Sequence, residues 1–231
     1  MLERIGMQST NKFEKMLQLN RTSFFNFVDG EKIIDLGGGD GNVWSHKVKD
    51  KIKLNIDLVE PDDQLRSIAK KTKIYNNIFD NISKVEFSNY DSVTCFNVLE
   101  HIQETDNFLN SLTNSKKIHF IVPNANSFHR MVGVEKKILK NIYELNSNDL
   151  LVGHVTYFDK ERLLETLNTL LKKSFEISKF GSVSFKFLSN SQSEAFIEVF
   201  KEINRVAEYT NLIGENNFYG AELAISLTKK D

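Results

Sequence analysis

The 231-residue sequence contains little cysteine or proline and has almost no net charge. The single cysteine, Cys95, excludes an intrachain disulfide, and no cysteine–histidine spacing of a structural zinc site is present. Thirty basic residues oppose 31 acidic ones, so no general positive field favours nucleic acid as a partner. No stretch approaches the ~18 consecutive apolar residues of a membrane helix. We therefore expect a soluble, cytoplasmic protein that binds neither nucleic acid nor membrane.

Short apolar segments alternate with helical patterns over the first two thirds of the chain. This alternation predicts an α/β fold, in which helices connect the strands of a parallel sheet. The two prolines, Pro61 and Pro123, each follow a predicted strand and mark the carboxyl ends at which such sheets bind ligands. The last third is different: an extended run over 175–187, an amphipathic helix over 196–207 and a strand over 219–228 predict an antiparallel end to the sheet.

Residues 9–28 place apolar side chains at helical spacing before the first strand. We therefore expect an N-terminal helical cap over residues 1–28, followed by one α/β domain over residues 29–231. The sequence leaves open whether these helices cover a ligand site or only pack on the sheet.

Four of the 11 glycines lie within five positions directly after the first predicted strand: Gly37, Gly38, Gly39 and Gly41. Glycine accepts positive φ and lets a ligand lie against the backbone, so this loop predicts a cofactor site. The dinucleotide pattern GxGxxG would need a glycine where Asn42 stands. The carboxylate of Asp35 would also repel a pyrophosphate. A cationic ligand without phosphate suits this acidic loop better.

A second acid, Glu60, stands at the exit of the second predicted strand, 21 positions after Gly39. This separation is near the roughly 20 residues at which a carboxylate binds ribose hydroxyls in nucleotide-binding folds. The alternative is an ordinary surface glutamate.

Three segments together resemble the class I S-adenosylmethionine-dependent methyltransferases: Ile34–Gly41, Val59-Glu60-Pro61 and Tyr90–His101. The resemblance runs from about Phe24 to the C-terminus. Two later segments, Val122-Pro123-Asn124 and Gly153–Phe158, are similar to the subgroup that acts on small molecules and sugars. The resemblance implies a Rossmann-like, seven-stranded mixed sheet of order 3-2-1-4-5-7-6, with strand 7 antiparallel and helices on its faces.

The cofactor implied by this resemblance is S-adenosylmethionine, which leaves as S-adenosylhomocysteine. The loop and the two acids supply most of its predicted binding residues, with Asp80 near the adenine and Asn97 near the methionine part. The full predicted set is Asp35, Gly37, Gly38, Gly39, Glu60, Pro61, Asp80 and Asn97.

Methyl transfer is an in-line displacement, so the enzyme positions the acceptor and excludes water, and an alcohol acceptor must also lose its proton. Histidine suits that proton transfer near neutral pH, and we predict His154 and His101 as catalytic. Hydrogen bonding within its own loop is the alternative role of His154. His46 and His119 are predicted to be structural. The predicted substrate-binding residues are Asn124, Ser127, Arg130 and Tyr157.

The expected reaction is O-methylation of a small polar acceptor such as a sugar, a sugar nucleotide or a surface-polysaccharide precursor. The alternatives are N-methylation of an amino sugar or other amine, and a module that binds the cofactor without turnover. A nicotinamide-dependent oxidoreductase is disfavoured by Asn42 and Asp35. No metal is expected, because Asp62 and Asp63 lack further carboxylates at coordinating spacing. The oligomeric state is open, with a homodimer among the options.

Overall fold

A computed structural model describes residues 12–44, 55–187 and 196–230 of the chain. These residues form an eight-stranded mixed sheet of order β3-β2-β1-β4-β5-β8-β6-β7. The strands are β1 (Lys32–Leu36), β2 (Asn55–Val59), β3 (Ile78–Phe79), β4 (Ser92–Phe96), β5 (Lys117–Pro123), β6 (Phe175–Val183), β7 (Gly214–Glu215) and β8 (Glu222–Lys229).

Helices cover both faces of this sheet in the described ranges. They are α1 (Lys12–Phe24), α2 (Asp63–Thr72), α3 (Thr105–Ser111), α4 (Phe128–Glu135), α5 (Ser147–Leu151), α6 (Lys160–Leu171) and α7 (Ile197–Tyr209). None of these helices is both long and apolar enough to cross a membrane.

The predicted strand order is confirmed. Strands β1 to β5 are parallel, and β8 lies antiparallel between β5 and β6, in the place predicted for strand 7. The addition is β7, which pairs with β6 through only two residue pairs at the sheet edge. A two-residue strand has no alternation of apolar and polar residues, so the sequence pattern did not predict it.

Local sequence explains where the main elements begin. All five residues of β4 are buried, as expected of a parallel strand covered on both faces. Helix α6 begins after the N-cap Asp159, whose carboxylate accepts a hydrogen bond from the backbone N–H of Arg162. Asp62 caps α2 in the same way. Helices α4 and α5 lie between β5 and α6, and Asn146 and Asp149 form a capping box at α5.

The predicted amphipathic helix before the first strand is present as α1. Its C-terminal end and the residues after it bury Phe24 and Phe25 in the core, where Phe25 stacks on Phe96 with 5.4 Å between ring centroids. Arg21 of α1 binds the carboxylate of Glu222 through Nε at 2.9 Å and Nη2 at 2.5 Å. This buried, bidentate pair holds α1 against β8 near the carboxyl end of β5. The division into a cap and a domain at residue 28 stays a prediction.

Candidate active site

The glycine loop leaves β1 and bends sharply, with φ of +65° at Gly37 and +59° at Gly39. The N–H of Gly37 donates to the carbonyl of Val59 at 2.7 Å, which holds the loop against the end of β2. A Cβ at Gly38 would lie 2.0 Å from Oδ2 of Asp35, whereas a Cβ at Gly39 would meet no atom within 4 Å. The inner side of the loop is therefore closed by Asp35, and the outer side at Gly39 is open to a ligand.

The carboxylate of Asp35 lies buried beneath this loop. It accepts hydrogen bonds from Thr94 Oγ1 at 2.8 Å, Trp44 Nε1 at 2.8 Å and Tyr75 OH at 3.0 Å. Burial raises the pKa of Asp35 to about 6, although the three donors lower it. Asp35 thus organises the loop from below, and its direct contact with the cofactor stays a prediction. Trp44 and Tyr75 were not predicted as site residues.

The carboxylate of Glu60 joins the glycine loop to the exit of β2. Its Oε2 accepts the backbone N–H of Gly39 at 3.1 Å, and its Oε1 accepts the N–H of Asp62 at 2.9 Å. Only 3% of Glu60 is exposed, so the surface-glutamate alternative is wrong. The 21-residue spacing predicted that Glu60 would lie beside the glycine loop, and the two are in contact in the fold.

The other two predicted cofactor residues near β2 and β3 lie at the surface. Pro61 is exposed beside Glu60. Asp80 is exposed as well and pairs with Lys84 at 2.6 Å, and the hydrogen bond from Lys84 lowers the pKa of Asp80. Their roles as cofactor ligands stay predictions.

Asn97 follows β4 with φ of +55°, a conformation that asparagine accepts more readily than most residues. Its Nδ2 donates to Glu222 Oε1 at 3.2 Å, so it extends the Arg21–Glu222 pair into a buried polar cluster. Its Oδ1 is buried and has no hydrogen-bond partner among the described residues. That acceptor is available to a ligand at the carboxyl end of β4, where the methionine part of the cofactor was predicted.

The two histidines predicted as catalytic, His101 and His154, lie side by side, with ring centroids 4.8 Å apart. His101 Nδ1 donates to the carbonyl of Gly153 at 3.1 Å, and the N–H of Val155 donates to the carbonyl of Glu100 at 2.8 Å. Two causes lower the pKa of His154 to about 4: burial has the larger effect, and the neighbouring His101 has the smaller one. His154 is therefore neutral at pH 7 and retains an imidazole lone pair.

Glu100 is a site residue that the sequence analysis missed. It is fully buried, and neither carboxylate oxygen has a hydrogen-bond partner among the described residues. Burial raises its pKa to about 8. Its Oε1 lies 3.9 Å from His154 Nε2. The available signal was its position immediately before His101 in the quoted segment, but its burial and isolation depend on the tertiary fold.

Two of the predicted substrate-binding residues have their side chains occupied by the protein itself. Asn124 Nδ2 donates to the carbonyls of Phe218 at 2.9 Å and Gly220 at 2.8 Å. Tyr157 OH donates to Asp149 Oδ1 at 2.9 Å. These contacts are structural, and substrate binding by Asn124 and Tyr157 stays a prediction.

Arg130 is also held by the protein, whereas Ser127 is not. Arg130 is buried, donates to the carbonyls of Ile142 at 2.8 Å and Glu144 at 2.5 Å, and stacks 3.7 Å above the ring of Tyr157. Ser127 is buried, and its Oγ has no hydrogen-bond partner among the described residues. A role for either in substrate binding stays a prediction, and Arg130 would have to exchange existing hydrogen bonds for new ones.

A family described as a methyltransferase domain matches residues 10–172, more than half of the chain. The chain belongs to the class I S-adenosylmethionine-dependent methyltransferases. No curated protein matches its sequence.

Solved structures of other methyltransferases share the fold. An S-adenosylmethionine-dependent methyltransferase from Mesorhizobium loti has a TM-score of 0.55 and 14% identity over 90% of this chain and 95% of its own. A putative one from Listeria monocytogenes has a TM-score of 0.57 and 14% identity over 95% and 99%. The plantazolicin methyltransferase BpumL, solved with S-adenosylhomocysteine, has a TM-score of 0.59 and 14% identity over 95% and 85%.

His119 and Cys95 of this methyltransferase have structural surroundings. His119 is buried on β5, its ring nitrogens lie 2.7 Å from Ser226 Oγ and 3.3 Å from Ser92 Oγ, and burial lowers its pKa to about 3. Its predicted structural role is confirmed. Cys95 is buried in β4. His46 lies outside the described residues.

The raised pKa of Asp35 generates a pH-dependent prediction. The folded protein binds a proton at Asp35 below about pH 6, whereas the unfolded chain does so only below 3.8. The stabilisation from this proton is fully present below the unfolded pKa and is lost as the pH rises through the folded pKa. The free energies of unfolding of the wild type and of Asp35→Asn are measured by urea denaturation at each pH. Their difference, wild type minus variant, should fall by about 2 to 3 kcal/mol between about pH 4 and about pH 7. A difference that is flat or rises with pH would contradict the assignment.

Proposed function

We propose that this methyltransferase transfers the methyl group of S-adenosylmethionine to a hydroxyl of a small polar acceptor, such as a sugar, a sugar nucleotide or a surface-polysaccharide precursor. The observation that supports S-adenosylmethionine as the methyl donor is the contact between Glu60 and Gly39 above the buried Asp35. It places two carboxylates at the glycine loop, where a dinucleotide would need room for negative phosphates. A sulfonium and an ammonium suit this charge.

The cofactor is proposed to lie along the open side of the loop at Gly39. Glu60 accepts hydrogen bonds from the two ribose hydroxyls, since a carboxylate oxygen can accept more than one hydrogen bond. The buried Oδ1 of Asn97 accepts a hydrogen bond from the ammonium of the methionine part. The S-adenosylhomocysteine in the BpumL structure supports the same by-product here.

The acceptor hydroxyl is proposed to face His101 and His154. In the transfer, its oxygen forms a bond to the methyl carbon while the carbon–sulfur bond breaks, and the bonding pair stays on sulfur as a neutral thioether. The hydroxyl proton must leave toward these histidines. Two adjacent imidazoles, one of them neutral at pH 7, support an acceptor that needs deprotonation, which is why a hydroxyl is preferred to an amine. A cytoplasmic location, suggested by the single buried cysteine, remains part of this proposal.

Glu60→Ala should weaken binding of S-adenosylhomocysteine by about 100-fold, because charge-assisted hydrogen bonds to both ribose hydroxyls are lost. Isothermal titration calorimetry measures the change. Glu176→Ala, at an exposed position of β6, is the matched control and should bind like the wild type. Thermal unfolding of both variants monitors the loop contact of Glu60. A folded Glu60→Ala variant with wild-type affinity would refute the ribose assignment.

A panel of acceptors with methyl-labelled S-adenosylmethionine tests the reaction. The panel contains neutral sugars, sugar nucleotides, amino sugars and simple amines, and mass spectrometry locates the label. Methyl ethers support the proposal, because they require a hydroxyl acceptor. Label found only on nitrogen would replace O-methylation with N-methylation. Cofactor binding without any labelled product would favour a non-catalytic binding module.

A further inference from the structure

Glu100, His101 and His154 form a compact group that we term the EHH cluster. Each residue offers one ligand atom, and the three atoms lie within 4.8 Å of one another. We propose that the EHH cluster binds a divalent first-row transition-metal ion that coordinates the acceptor hydroxyl. The role toward the acceptor rests on the proposed function, whereas the metal site itself does not.

The strongest observation is the isolation of the Glu100 carboxylate. It is 0% exposed, and both oxygens lack hydrogen-bond partners among the described residues. A buried carboxylate without hydrogen bonds or a bound cation is costly to maintain. The Arg21 guanidinium, which affects Glu100 electrostatically, already binds Glu222 with two nitrogens. A cation held beside Glu100 would satisfy this acid.

His101 has the outer hydrogen bond that metal-binding histidines usually have, whereas His154 Nδ1 has no hydrogen-bond partner among the described residues. His101 donates its Nδ1 proton to the carbonyl of Gly153, so the imidazole lone pair is on Nε2. His154 points Nε2 toward Glu100 Oε1 and Nδ1 toward Asp149 Oδ1, each at 3.9 Å. A histidine that donates one N–H to a carbonyl or carboxylate presents its other nitrogen to the metal in a fixed orientation.

The backbone holds the two halves of the EHH cluster together without the metal. The N–H of Val155 donates to the carbonyl of Glu100 at 2.8 Å, and Gly153 has φ of +84°, which shapes the turn before His154. Tetrahedral ligand atoms at bond lengths near 2.1 Å are about 3.4 Å apart. Separations of up to 4.8 Å therefore require a contraction of at most about 1.4 Å, which side-chain rotations can supply.

The donor set determines the class of metal. Two imidazoles and one carboxylate suit zinc, manganese, iron, cobalt or nickel, whereas magnesium and calcium favour oxygen ligands alone. Three protein ligands also leave at least one coordination position for a further ligand. The expectation of no metal rested on Asp62 and Asp63, and the EHH cluster lies elsewhere.

An acceptor hydroxyl in the open position would have a lowered pKa, since a divalent cation stabilises the alkoxide. The proton would leave to solvent water, and the coordinated oxygen would then attack the methyl carbon as the carbon–sulfur bond breaks. His101 and His154 would then hold the ion with their lone pairs and would not take the proton themselves, which replaces the direct proton transfer described under the proposed function.

The test uses the full chain, treated with a chelator, dialysed and titrated with Co²⁺ and with Zn²⁺. We expect one ion per chain in calorimetry, visible Co²⁺ absorption bands of a four- or five-coordinate site, and an increase in thermal stability with Zn²⁺. His101→Asn, His154→Asn and Glu100→Gln should each weaken binding by about 100-fold or more, since loss of even an outer-shell partner costs 10- to 100-fold. Glu176→Gln, at an exposed position of β6, is the control and should bind like the wild type.

Three variants keep the test decisive if one of them fails to fold, because each removes a different ligand. Absence of stoichiometric metal binding by the wild type would overturn the proposal, as would equal binding by all folded variants. Binding of S-adenosylhomocysteine is measured on the same metal-free samples. Binding of S-adenosylhomocysteine without binding of metal would refute only the metal site at the EHH cluster. Binding of metal without binding of S-adenosylhomocysteine would refute S-adenosylmethionine as the methyl donor.

Discussion

The buried carboxylate of Asp35 receives hydrogen bonds from three separate parts of the chain, and the glycine loop depends on that arrangement. Thr94 reaches it from β4, Trp44 from the turn after the loop, and Tyr75 from the segment before β3. Because Gly38 packs directly on this carboxylate, the loop conformation and the hydrogen bonds of Asp35 are coupled. Glu60 then fixes the outer part of the loop through Gly39. The result is an acidic, preformed site at the carboxyl ends of β1, β2 and β4.

The sequence predicted those features that depend on local patterns or short spacings. The alternation of strands and helices and the association of Glu60 with the glycine loop follow from residue types and spacings whose roles are set by nearby backbone geometry. The strand order was implied by the family resemblance. The structural role of His119 was predictable for the same reason, since it lies within an apolar strand.

Features that depend on long-range contacts could not be predicted. Arg21 and Glu222 are 201 positions apart, and no periodicity connects them, yet they join the first helix to the last strand and orient Asn97. Asn124 and Arg130 were predicted to contact substrate because of where they lie in the chain. The carbonyls of Phe218 and Gly220, more than 90 positions away, accept from Asn124, and the nearer carbonyls of Ile142 and Glu144 accept from Arg130. The isolation of Glu100 arises in the same way, since burial of a carboxylate is decided by everything that packs around it.

The acidic glycine loop is selective for S-adenosylmethionine over a dinucleotide if the assignment of its carboxylates is right. Calorimetric titration of the wild-type chain with S-adenosylhomocysteine, NAD⁺ and NADH under identical conditions tests this selectivity most directly. We predict one-to-one binding of S-adenosylhomocysteine with a dissociation constant in the micromolar range, a binding free energy of about −8 kcal/mol, and no detectable heat from either dinucleotide. Saturable binding of NAD⁺ or NADH without binding of S-adenosylhomocysteine would contradict it.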